Sequence, residues 1–378
     1  MDVLVLGGSG LVGSEVVKDL LETSEVSRIV IGDIDIQKAS AYASSLNDGR
    51  LSAEFVDTNQ KESLTSLMKG FDVVANCTNI RNSILILEVA VEVGAHYLDL
   101  TGSLHLEKIK LDGNARKAGI TAILTLGVTP GITNVLAKHG VNQLDETDRI
   151  QVSFAAFRPI APSPGLLDTL LHQFDPLQEE RYYYKDGKYI TVPPFSGVKT
   201  IVFSDPVGPQ TTYLLSHAET STLSRFIGGV GSVETRGTWG DKVMHAFKIF
   251  IECGLFNEKP IKVNDHLIAP RDFLREHLIQ WKPEGEETER YVTFLNIEVS
   301  GKKDGKARKC TYNVKHPLDW HEKAAAKMTG IPMSIGAQML ARGEIKAKGV
   351  LPPEMTIEPE PFLAQLAKRG IEVSGRKE

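Results

Sequence analysis

Val3, Leu4, Val5 and Leu6 run directly into Gly7, Gly8, Gly10 and Gly13, and helical spacing starts before the last of these glycines. A strand that becomes a helix within a few residues needs backbone without Cβ at the turn. That start is typical of sheets whose parallel strands alternate with helices. The first third of the chain keeps this rhythm. Strand-like runs at 28–31, 52–56, 71–75, 97–100 and 120–124 alternate with helical spacing at 12–21, 36–46, 61–68 and 84–93, and a further helix runs to Ala118. The expected class is α/β, a Rossmann-type doubly wound parallel sheet covered on both faces.

The texture changes after Gly131. Pro159, Pro162 and Pro164 break the chain, and strand-like runs then meet at Asp186-Gly187 and Asp304-Gly305. Asp-Gly between apolar or β-branched runs is a hairpin signal. The chain has 378 residues, long for one core, so division into domains is expected. The reading is a dinucleotide-binding domain over 1–131, an inserted mixed α+β substrate and dimerisation domain over 132–325, and a helical segment over 326–378 that returns to the first domain. In that segment Pro332 is placed in the first turn of a helix.

With 42% hydrophobic and 24% charged residues and a net charge of −5, the chain reads as a soluble globular protein. It carries no basic footprint for nucleic acid and no apolar run that would span a bilayer. Three distant cysteines suit a reducing, cytoplasmic setting rather than a disulfide framework, no signal peptide is expected, and the histidines complete no metal-ligand spacing.

The glycines satisfy two patterns, Gly8, Gly10 and Gly13 as G-x-G-x-x-G, and Gly7, Gly10 and Gly13 at three-residue intervals. In either, the turn of Gly7, Gly8, Ser9, Gly10, Leu11, Val12 and Gly13 offers bare amides and a helix N-terminus to a diphosphate. A glycine turn without a ligand is the bland alternative. Asp33, at the expected end of the second strand and followed by Ile34, is spaced to accept hydrogen bonds from the adenosine ribose and to repel a 2′-phosphate. This favours NAD, with NADP as the alternative; a strand-end acid or helix cap is the other reading of Asp33. Asp57 is placed to reach the adenine, and Asn76, Cys77 and Thr78 to lie near the nicotinamide half. Two later strand ends supply Asp99 and Thr101, and Gly127, Thr129, Pro130 and Asn134. The Pro130-Gly131 pair fixes a turn with exposed amides, while Asn134 or Thr133 could equally cap the next helix, and Asp99 could be a turn acid.

The glycine stretch, "YLDLTG", "LGVTPGITNVLA", "LLHQFDP", "AETSTLSR" and "GVLPPE", in that order, resemble the saccharopine dehydrogenase-like family, particularly its lysine 6-dehydrogenase branch. The resemblance covers nearly the whole chain. It implies a Rossmann domain, an inserted substrate and dimerisation domain, and hydride transfer between a nicotinamide and an amine-bearing carbon of an amino acid. A lysine 6-dehydrogenase or saccharopine dehydrogenase is expected. A carboxynorspermidine-type reductase acting on a polyamine, or a non-catalytic NAD sensor, is the alternative. Asp99, with Thr101, would hold the ammonium or assist its deprotonation, and Arg225 or Arg236 would clamp a substrate carboxylate, with Thr220, Ser221 and Thr222 as donors. Where relatives of the lysine branch carry a histidine near Trp239, this chain has Asp241, which favours a cationic substrate. The expected partners are a small amino acid or polyamine and copies of the chain itself, as homodimer or homotetramer.

Overall fold

A computed structural model describes residues 1–78, 80–179, 181–281 and 291–378. They form two compact units, Met1–Asn142 with Ala326–Glu372, and Gln143–Ala325 with Val373–Glu378. The first unit thus runs past Gly131 to Asn142, taking in the helix after it, and the last six residues belong to the second unit.

The first unit opens with β1 (Asp2–Leu6), α1 (Leu11–Thr23), β2 (Arg28–Asp33), α2 (Ile36–Leu46), β3 (Leu51–Phe55), α3 (Lys61–Met68) and β4 (Val73–Asn76). It continues through α4 (Ser83–Val93), β5 (His96–Asp99), α5 (His105–Ile109), α6 (Asp112–Lys117), β6 (Thr121–Ile123) and α7 (Ile132–Val141). A seventh strand, Gly349–Leu351, comes from the far end of the chain, and the sheet order is Gly349–Leu351, β6, β5, β4, β1, β2, β3. Every pairing is parallel. Val3 to Leu6 are fully buried, as a central parallel strand covered on both faces requires. The order reverses between β1 and β4, and loops leaving two such strands in opposite directions open a crevice at their carboxyl ends.

The second unit is built on a mixed nine-stranded sheet. Its long strand Glu146–Phe157 lies between Ser232–Thr238, parallel to it, and Val292–Lys303, antiparallel. Both Asp-Gly hairpins form: Lys185 pairs with Lys188 and Lys303 with Lys306, with Asp186, Gly187, Asp304 and Gly305 all at positive φ. Phe154, Phe174, Phe247 and Trp239 pack edge-on or tilted in its core.

Pro332 is not in a first turn but inside a helix that runs Ala324–Ala341. The alanines that open it, Ala324, Ala325 and Ala326, are strong helix formers that carry no apolar periodicity of their own, so pattern reading started the helix too late. Among the described residues no helix is long and apolar enough to cross a membrane.

Candidate active site

The turn after β1 is closed by its own backbone. Gly7 N donates to Gly32 O (2.8 Å), Gly10 N to Gly7 O (3.0 Å) and Ser14 N to Gly10 O (2.9 Å). A Cβ on Gly13 would lie 2.2 Å from Gly7 O and 2.8 Å from Gly8 Cα, both backbone atoms that cannot step aside. The turn and helix can therefore meet only through glycine. Gly10 caps α1 without a side chain, and the first turn of the helix contains no acid. With no side chain covering it, the positive end of the helix dipole faces the crevice, as binding of a diphosphate requires. Leu11 is exposed there, while Gly8, Ser9 and Gly13 are buried. The residues present fit a dinucleotide.

Asp33 ends β2 beside this turn. Its Oδ2 accepts from Ser9 Oγ (2.7 Å) and Ser9 N (3.4 Å), and Oδ1 from Asp35 N (3.2 Å). Its carboxylate is thus fixed against the glycine turn, with Ile34 exposed next to it. Asp35 caps α2 through Lys38 N at 3.0 Å. Asp57 is engaged locally: Oδ1 accepts from Asn59 N (2.9 Å) and Nδ2 (2.8 Å), and Oδ2 from Gln60 Nε2 (2.8 Å). The Asn59 bonds hold its carboxyl below the usual carboxylate range.

Across the switch point, Asn76 ends β4, with Cys77 and Thr78 following. Asn76 Oδ1 accepts from Thr78 N (3.0 Å) and Thr78 Oγ1 (2.6 Å). Burial pushes the Cys77 thiol up to about 12, so it stays protonated, with Sγ 3.4 Å from Met333 Sδ. Asp99 ends β5 and has no exposed surface; nor has Lys108, whose Nζ donates to Asp99 Oδ2 at 2.5 Å. Tyr97 OH also donates to Oδ2 (3.1 Å), Thr125 N donates to Oδ1 (2.8 Å), and the Thr101 carbonyl lies 3.5 Å from Lys108 Nζ. The partner of Asp99 is therefore a lysine of the same domain. Lys108 was invisible to sequence reading because nothing in the spacing along α5 distinguishes a buried lysine from a solvated one.

The loop between β6 and α7 is equally tight. Thr129–Pro130 is a cis peptide, Gly127 N donates to Pro130 O (2.9 Å), and a Cβ on Gly131 would lie 1.9 Å from Gly127 O. Asn134, fully buried, accepts from Gly131 N (3.0 Å) and donates to Glu354 Oε2 (2.8 Å). Its side chain ties the turn to the segment carrying "LPPE".

In the second unit, Arg236 is buried and committed: Nη1 donates to Gly197 O (2.7 Å) and Nε to Glu234 Oε1 (3.3 Å). Arg225, in the last turn of the helix Ala218–Phe226, is exposed. Thr220 Oγ1 donates to Thr235 Oγ1 (3.1 Å) and Ser221 Oγ to Ala218 O (3.0 Å), so both hydroxyls serve the fold, and Thr222 is buried. The same helix start brings together a pair the sequence did not reveal. His217 Nδ1 meets Glu219 Oε2 at 2.6 Å, with the imidazole 5.4 Å from the Phe154 ring. Among the described residues no cluster of acids, histidines and cysteines could hold a metal.

A glycine turn on a helix capped without a side chain, opposed by a second strand end across a switch point, defines a dinucleotide-binding domain of the Rossmann class, the fold of NAD(P)-dependent oxidoreductases. Residues 3–123 match the saccharopine dehydrogenase NADP binding domain, and residues 127–371 match the saccharopine dehydrogenase C-terminal domain. The chain belongs to the saccharopine dehydrogenase family. It is 27% identical to carboxynorspermidine synthase of Vibrio cholerae, over 98% of this chain and 96% of that one. It is 23% identical to carboxyaminopropylagmatine dehydrogenase of Synechocystis, with the same 98% and 96% coverage. Among solved structures its fold is similar to saccharopine dehydrogenase (L-Glu forming) of Saccharomyces cerevisiae, with a TM-score of 0.74 at 18% identity, over 100% of this chain and 99% of that one. It is also similar to the homospermidine synthase of Legionella pneumophila in complex with NAD, with a TM-score of 0.65 at 15% identity, over 100% and 91%.

Proposed function

We propose that the protein is an NAD(P)-dependent dehydrogenase that forms or cleaves the secondary amine of a carboxylated polyamine. The observation that carries this reading is the near full-length similarity to relatives named for carboxynorspermidine and carboxyaminopropylagmatine. Asp241, where the lysine branch tends to carry histidine, points the same way, because an acid suits a substrate with several ammonium groups. In the forward direction an aldehyde and a primary amine condense to an imine with loss of water, and the protonated C=N bond takes up hydride to give the secondary amine. When bound, the reduced nicotinamide supplies that hydride.

The chain's own residues divide the remaining work. The glycine turn and the start of α1 hold the diphosphate. Asp33, fixed by Ser9, receives the ribose hydroxyls and disfavours a 2′-phosphate, so NAD(H) is the preferred form. Arg225 supports a role at a substrate carboxylate, since its guanidinium is exposed while that of Arg236 is spent on Gly197 and Glu234. Asp99 does not meet the substrate ammonium in this reading, because its carboxylate is fully buried against Lys108.

The test is turnover. Carboxynorspermidine, saccharopine and lysine are each mixed with NAD and, separately, with NADP, and absorbance of the reduced nicotinamide is followed. The expected outcome is turnover with the carboxylated polyamine, faster with NAD. Turnover with saccharopine or lysine alone would return the protein to the lysine reading, and a reverse coenzyme order would remove the proposed role of Asp33.

A further inference from the structure

We propose that Tyr97 and Asp99 are positioning residues for the dinucleotide, acting through a buried one-way chain of hydrogen bonds that ends on Thr78. Four side chains in this chain are essentially without exposed surface: Lys108, Asp99, Tyr97 and Asn76. Each bond in it fixes the direction of the next. Lys108 ammonium and Thr125 N–H both donate to Asp99, which matches a carboxylate that only accepts. Tyr97 OH has two acceptors in reach, Asp99 Oδ2 at 3.1 Å and the Ser83 carbonyl at 3.4 Å, and neither can donate back, so the phenol proton is given on this side, to the nearer and charged Asp99. The phenol oxygen is then left to accept, and Asn76 Nδ2 donates to it at 3.0 Å. With its NH2 facing the tyrosine, the Asn76 amide is compelled to present Oδ1 to the other side, where Thr78 N–H and Oγ1–H both donate to it. Burial and the neighbouring carboxylate push the Tyr97 phenol well above its ordinary value, so the proton that sets this direction stays in place.

The end of the chain touches the cofactor cradle. A Cβ on Gly7 would meet Thr78 Cγ2 at 3.3 Å and the Cys77 carbonyl at 3.2 Å, so the segment after β4 is packed directly on the diphosphate turn. If the Asn76 amide turned over, its NH2 would face the two Thr78 donors and the segment would be pushed from the turn. A buried ion pair is weak evidence for stability, since apolar side chains of similar volume often serve a core as well. A direction-setting polar chain at the carboxyl ends of two strands beside the switch point is explained by a need to place Thr78, which apolar packing would not meet.

The experiment measures the dissociation constant of NADH by fluorescence titration, a readout independent of the amine substrate, for wild type, Tyr97→Phe, Asn76→Ala and the double variant. Tyr97→Phe leaves the Asp99–Lys108 pair intact and removes only the hydroxyl. It is expected to weaken NADH binding about fivefold to twentyfold, the loss typical of one or two buried hydrogen bonds. In turnover, the KM for the dinucleotide rises more than kcat falls. Because Tyr97 acts through Asn76, the double variant should bind no more weakly than Asn76→Ala alone. A Tyr97→Phe dissociation constant within twofold of wild type, or losses that multiply in the double variant, would overturn the proposal. Should Tyr97→Phe fail to fold, unchanged NADH binding by Asn76→Ala would overturn it equally.

Discussion

At the scale of single residues, the glycines and the acid that follows them are the most legible part of the site. Their requirement is local: Gly13 is needed because Gly7 O lies 2.2 Å from where its Cβ would be. Gly13→Ala forces the turn and α1 apart by several tenths of an ångström or more. It is expected to lower stability by about 2 kcal/mol or more, as overpacking against backbone does, and to abolish detectable NADH binding. Chemical denaturation and fluorescence titration check the two effects, and a Gly13→Ala variant that bound NADH normally would contradict the geometry. Asp99 shows the opposite case. A carboxylate at a strand end can be identified from the sequence, but whether it faces a ligand or a buried lysine cannot. Lys108 lies nine positions on, in a short helix of its own, and only the packing of α5 brings its ammonium under β5.

At the scale of elements, propensity and periodicity located α2 and α3 to the residue, because each is a self-contained amphipathic turn sequence bounded by a cap or loop. The strand Gly349–Leu351 escaped. Three residues are too few for a period, and it exists only because β6 offers an unpaired edge. Beyond its backbone bonds to β6, α6 pins it: Asp112 Oδ1 accepts from Val350 N at 2.9 Å, and Gly349, at φ 116°, has no room for a Cβ against that carboxylate. Asp112→Ala leaves Val350 N–H without its carboxylate partner and is expected to cost about 1–2 kcal/mol. Hydrogen exchange should localise the loosening to residues 349–351 and the neighbouring edge of β6; unchanged protection there would refute the assignment.

At the scale of the whole molecule, three histidines, the buried His316 and the half-buried His96 and His172, tie stability to pH. Burial is the largest cause lowering the pKa of His96, His172 and His316 below the ordinary imidazole value of about 6.5. Two of them also accept a backbone bond that protonation would break: His96 Nδ1 from Thr121 N (2.9 Å) and His316 Nε2 from Thr293 N (3.0 Å). The unfolded chain therefore binds more protons than the folded one once pH drops below about 6.5. Each group contributes up to about 1.4 kcal/mol of lost stability per pH unit until its folded pKa is reached. Denaturation midpoints should change little from pH 7.5 to about pH 6.5 and fall from there to pH 5, and a flat profile below about pH 6.5 would show that these imidazoles are not held neutral.

The sequence alone determined the α/β class, the glycine turn, its acidic partner, both Asp-Gly hairpins and the family, because each is written in residues close together along the chain. Steric demands on a turn, the period of a strand and the left-handed angles of a two-residue hairpin are short-range constraints that leave local marks. The tertiary structure alone decided that Asp99 pairs with Lys108, that Asn134 reaches Glu354, that His217 meets Glu219 and that residues 349–351 complete the first sheet. Those contacts arise when separate elements pack, and a buried charge or an edge strand has no sequence signature until its partner is in place.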